Sequence, residues 1–148
     1  MKRTLIAGIA AAVALAVPAA ALAAGAFEPA PAAATAVALT IKSDTQHAKK
    51  DAKGAWHDAY LPAAFGVTAG QKATVTVTNW DDAPHTFTAP KLGLSVLIPG
   101  ARNGKPSVTT FSFTAKKAGA YDWWCAAGCD PWAMSRLGFM RGRITVSE

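Results

Sequence analysis

No long segment of this 148-residue chain carries helical periodicity, which turns attention away from helical and α/β architectures at the outset. There is no internal repeat. There is no glycine-rich nucleotide loop, no serine–histidine signature and no pair of carboxylates set for acid–base work, so nothing marks an enzyme. Basic residues outnumber acidic ones, 15 to 9, but they are scattered and form no nucleic-acid signature. The net charge of +6 gives a mild positive field that suits an acidic partner. Cysteine is nearly absent: Cys125 and Cys129 are the only two. Histidine is nearly so, with His47, His57 and His85.

Charge is missing altogether from Thr4 to Phe27, between the basic Lys2-Arg3 start and Glu28. This apolar run ends in small residues, with Ala21-Leu22-Ala23 as a cleavage site, and Pro18 interrupts it. Residues 1–23 therefore read as a signal peptide. The alternative is an uncleaved anchor, since the run is long enough to span a bilayer. Either way the remainder is expected to be periplasmic or secreted, with membrane contact only through that segment. No cysteine follows the run, which argues against a lipoprotein anchor. Residues 24–35 are Ala/Pro-rich and read as a tether, leaving a single domain over 36–148.

What is present in that domain is strand patterning. "KATVTVTN" alternates Ala73, Val75 and Val77 against Thr74, Thr76 and Thr78. "VTTFSFTA" turns Phe111 and Phe113 to one face, and "RGRITVS" does the same with Ile144 and Val146. "AVALTIK" and "AGAYDWWC" complete a set of short strands separated by turn sequences such as "TAGQ" and "PGARNGKP". "DPWAMSRL" allows one helical turn, with Asp130 as its cap. The expectation is an all-β antiparallel sandwich or barrel.

His85 follows an Asp81-Asp82 turn, Cys125 ends one strand, and Met140 opens the last. In a sandwich these loops can converge at one end. Two sulfurs, a thioether and an imidazole together suit copper, and the pair can also suit zinc. Taken singly each residue has a plainer role, and two lone cysteines in an exported protein generally pair as a disulfide.

"DDAPHTFTAPKLGLSVLIPG", "FTAKKAGAYDWWCAAGC" and "GFMRGRITV" resemble the cupredoxins, in particular the copper domain of cytochrome c oxidase subunit II and the related domain of nitrous oxide reductase. The resemblance covers about residues 60 to 147. It implies a Greek-key β-sandwich and a centre of one or two copper ions. His85, the thiolates of Cys125 and Cys129, Met140 and the backbone carbonyl of Ala127 would be ligands. One element departs from the pattern. The histidine that the family places four residues after the second cysteine is Ala133 here, and Leu137 stands three residues before Met140. The nearest replacement is His57. If residues 62–67 and 72–79 form a hairpin through "TAGQ", then "WHDAYLP" falls at the metal end, whereas His47 lies in a charged loop. Met134 is a further sulfur donor between Cys129 and Met140.

The resemblance thus implies thiols in the functional protein. The function expected is that of an exported copper-binding protein passing single electrons to a redox partner. The alternatives are a Cu(I) carrier or storage protein served by a copper-delivery partner, and a metal-free interaction module stapled by a Cys125–Cys129 disulfide. None of the three has a catalytic site of its own.

Overall fold

The structure, a computed structural model, describes residues 34–148. The signal-peptide expectation, and the tether as far as residue 33, lie outside the described residues. In chain order the elements begin with β1 (Thr35–Lys42), β2 (Lys49–Lys50), β3 (Trp56–His57), β4 (Ala59–Leu61), β5 (Ala64–Thr68) and β6 (Lys72–Asn79). They continue with β7 (His85–Ala89), a 3-10 turn (Pro90–Leu92), β8 (Leu94–Ile98), β9 (Ser107–Thr114), β10 (Gly119–Trp124), α1 (Pro131–Met134) and β11 (Arg141–Ser147).

Period-2 alternation decides which face of each strand is buried. In β6, Ala73, Val75 and Val77 are buried, and the threonines between them are not. The hydroxyls of Thr74 and Thr76 instead meet Ser112 and Thr110 across the β6–β9 pair. In β11, Ile144 and Val146 point inward, as the sequence leads one to expect. Two sheets result, ordered β4-β1-β6-β9 and β5-β11-β10-β7-β8, with β2 and β3 as a separate ribbon. The fold is the expected β-sandwich.

Its pairing differs from the antiparallel expectation in two places. β1 lies parallel to β6, and β5 lies parallel to β11. The "TAGQ" turn accordingly does not close a hairpin. It carries the chain from β5 in one sheet to β6 in the other. Both inner faces needed a strand, and local alternation cannot say which sheet a strand will join.

Between the sheets the Trp123 ring stacks on Phe87 at 4.4 Å, and Tyr60 meets Trp123 edge-on at 4.8 Å. Burying each large side chain contributes about 1.5–3 kcal/mol. Gly142 sits opposite Trp123 in the β10–β11 register, and a Cβ there would run into the indole and into the Ala63 carbonyl. The ends of β1, β6 and β10 and the starts of β4, β7 and β11 lie at one end of the sandwich, as their pairings require. The candidate ligands are at that end.

Candidate metal centre

Asn79, the last residue of β6, sets the loop that presents His85. Its Nδ2 donates to the carbonyls of Ala83 and Pro99, and its Oδ1 accepts from the Asp81 N–H. The Ala101 N–H donates to the Asp81 carbonyl at 2.6 Å. Gly100 lies so close to the Asp82 backbone that any side chain would collide with it. Asp81 is thereby fixed with its carboxylate 2.8 Å from Nε2 of His85, and both residues are buried. The carboxylate accepts the ring N–H at Nε2, which turns the lone pair of Nδ1 toward the cysteines. Nδ1 is 3.0 Å from Sγ of Cys129 and 3.8 Å from Sγ of Cys125.

Cys125 follows β10 and is fully buried. Its N–H donates to the Met140 carbonyl at 2.8 Å, tying it to the start of β11. The Thr86 N–H points at its sulfur from 3.4 Å, and the Thr86 hydroxyl accepts from the Ala126 N–H at 2.7 Å. The chain then doubles back, with the Cys129 N–H donating to the Ala127 carbonyl at 2.7 Å. This fold-back brings the two sulfurs together, and they are joined as a disulfide. The expectation of two thiols is thus not met in this structure. The redox state of the pair is not written in the spacing. Ligand atoms of His85, Cys125 and Cys129 all lie within 4.8 Å of one another.

The remaining expected ligands divide. The Ala127 carbonyl lies 3.9 Å from the Cys125 sulfur, beside the cluster. Met140 is fully buried and joins the cluster's frame through its backbone, its N–H donating to the Ala133 carbonyl at 3.3 Å. Met134 is half-buried against the core at the end of α1. Ala133, at the sequence position where the family pattern has histidine, is buried.

His57 does not take that place. It comes to the metal end, as its position along the chain predicts, but both its ring nitrogens face carboxylates. Nδ1 is 2.6 Å from Oδ2 of Asp130, and Nε2 is 3.6 Å from Oδ2 of Asp51. Its ring stacks on Trp132 at 3.8 Å. Among the described residues, the metal-competent group holds His85 and the two cysteines without it. Asp130 caps α1, accepting from the N–H groups of Trp132 and Ala133, as its place before Pro131 suggests. Burial alone would raise the Asp130 carboxyl. The His57 bond and the two N–H groups outweigh it and hold the group below its ordinary value. Asp58 accepts from the N–H groups of Asp44 and Asp130. Burial, with Asp81 nearby, leaves its carboxyl above the ordinary value.

The family model for the cupredoxin-like domain matches residues 7–146. The chain belongs to the cupredoxin-like family. Among solved structures, this cupredoxin aligns with a blue copper oxidase from Nitrosomonas europaea at TM-score 0.57 and 19% identity, over 78% of this chain and 39% of that one. The multicopper oxidase mgLAC aligns at 0.53 and 17%, again over 78% and 39%. The periplasmic domain of cytochrome oxidase subunit II from Bradyrhizobium japonicum aligns at 0.49 and 18%, over 76% and 84%. The chain therefore spans 39% of the length of each of the two oxidases, and the likeness is one of fold. A search of curated proteins gives no match.

In this cupredoxin, two residues of the centre have only a turn or strand role in the sequence. Asp81 orients His85, and Thr86 pins both Cys125 and Ala126. A carboxylate four residues before a candidate ligand histidine, across a turn, is the signal that points to the first. Thr86 carries no comparable signal, because its contacts depend on β7 lying beside β10.

Proposed function

We propose that this cupredoxin binds one copper ion outside the cytoplasm, on the sulfurs of Cys125 and Cys129 and on Nδ1 of His85. The observation that carries this is the buried cluster of those three donors, with Asp81 holding the far side of the imidazole. The disulfide must first open. An external dithiol supplies two electrons and two protons, leaving as a disulfide while Cys125 and Cys129 become thiols, which lose their protons on binding metal. The donor set fits a single ion and not a dinuclear centre with two imidazoles, because Ala133 and the carboxylate-bound His57 supply no second one. Two soft sulfurs and one imidazole favour Cu(I). Copper seated there supplies an exchangeable Cu(I) ion and a one-electron couple.

The role best supported is carriage of Cu(I) to or from a delivery partner, with binding and release in place of catalysis. Electron transfer to a redox partner is the second reading. It is favoured by the rigid setting, in which Cys125 and His85 are shut away from water. The visible and EPR spectra of reduced protein loaded with copper, with metal quantified per chain, separate the two. Carriage predicts that exposure to Cu(II) re-forms the disulfide and leaves no lasting thiolate-to-copper band. A stable, reversible band with the hyperfine pattern of one copper would establish electron transfer, and the pattern of a mixed-valence pair would overturn the single-ion site.

A further inference from the structure

Away from the cluster, the outer face of the five-stranded sheet carries a groove between the Pro90–Leu92 turn and strands β10 and β11. It has a volume of about 410 Å³, and its lining includes Lys91, Asp122, Trp124, Arg141 and Arg143. Lys91 also lines a second hollow of about 270 Å³, beside Lys116, Lys117 and Tyr121. Five cations thus face one carboxylate along these linings. That carboxylate is already shared: Arg143 Nε donates to one oxygen at 2.9 Å, and Arg141 Nη2 donates to the other at 3.1 Å. Arg141 Nε is buried with no hydrogen-bond partner among the described residues, a state that buried N–H donors rarely keep. At the upper end stands Trp124. Strand alternation turns it outward, opposite to buried Trp123, and it directly precedes Cys125.

We propose that this groove docks an acidic segment of a partner protein. Its carboxylates would be taken by Arg141, Lys91 and the neighbouring lysines, and an apolar side chain would rest on Trp124. Guanidinium forks and ammonium groups beside an aromatic face make a surface suited to carboxylates in an extended chain. The Pro90–Leu92 turn walls one side, so the site admits a segment of chain more readily than the plane of a lipid headgroup layer. A partner seated there would lie next to the residue that leads into Cys125. The proposal does not depend on copper.

The test uses the full chain in its disulfide form, with a fluorescein-labelled peptide of glutamates around one leucine as the probe at low salt. Lys91→Glu/Lys117→Glu changes two exposed groove cations and leaves the Asp122 pairs intact. Lys42→Glu/Lys72→Glu makes the same change of charge on the other sheet. Peptide affinity is expected to fall about ten-fold or more in the groove variant and less than about two-fold in the control, the difference between a local site and a general field. Peptide binding should also alter the tryptophan fluorescence of the parent chain and not of Trp124→Phe. Equal losses in the two double variants, or an unchanged response in Trp124→Phe, would overturn the proposal. So would binding to phosphatidylglycerol vesicles without binding to the peptide.

Discussion

His85 does two jobs that a substitution separates only in part. It presents Nδ1 to the sulfurs and it covers the buried Asp81 carboxylate. His85→Ala should abolish Cu(I) binding, and it should also destabilise the fold by about 1–3 kcal/mol, because the carboxylate loses its partner in a dry site. Asp81→Asn is the milder probe. The amide still fills the loop but orients the ring less firmly, so Cu(I) affinity should drop by about 10–100-fold with the fold retained. Competition titration with a chromophoric Cu(I) chelator, beside a denaturant melt, checks both. Full affinity in Asp81→Asn would show that the ring is held by packing alone. His57 is expected to behave in the opposite sense. It joins the ribbon to the Cys129 loop through Asp130 and Trp132, so His57→Ala should lower stability by about 1–3 kcal/mol while copper stoichiometry stays the same. Loss of the metal without loss of stability would restore His57 as a ligand.

At the scale of elements, β10 and β11 form the rail that carries both Cys125 and Met140, and Gly142 is what lets them close over Trp123. Gly142→Ala should therefore destabilise the domain by about 1–3 kcal/mol or more, since neither the indole nor the Ala63 carbonyl has room to yield. A thermal melt indistinguishable from the parent's would show that the rail has slack. Such strands are legible from alternation alone: β6 and β11 bury the residues that their patterns nominate, and β9 buries Phe113 with Phe111 half-buried against the core. The cap of α1 was legible too, from Asp130 before Pro131. Partner choice was not. The parallel pairs β1–β6 and β5–β11 are long-range contacts that no local pattern encodes, and with them went the hairpin assigned to β5 and β6. His57 was placed at the correct end because strand direction survives that error. Its ring orientation was not legible, because it is decided by carboxylates in two separate loops.

For the molecule as a whole, acid and redox state act on different parts. Hydrogen bonds from Arg143 and then Arg141 hold the Asp122 carboxyl below its ordinary value. A lowered carboxyl contributes its stability above the unfolded value of about 3.9 and loses it as pH falls further. Asp58, raised by burial, has the opposite sign, and proton uptake there favours the fold. Asp122→Asn should therefore flatten the fall of Tm below about pH 4, and an unchanged slope would place the acid sensitivity elsewhere. Redox state acts on the candidate metal centre, where under the proposed function copper would compete with the disulfide for the same two sulfurs. The most direct test of this account is an anaerobic Cu(I) titration of the chain before and after reduction by a dithiol, against a competing chelator, with metal counted per chain. The account predicts one tightly held copper in the reduced chain, none in the disulfide form, and loss of the ion when the disulfide is re-formed. Equal binding in the two forms, or none in the reduced chain, would contradict it.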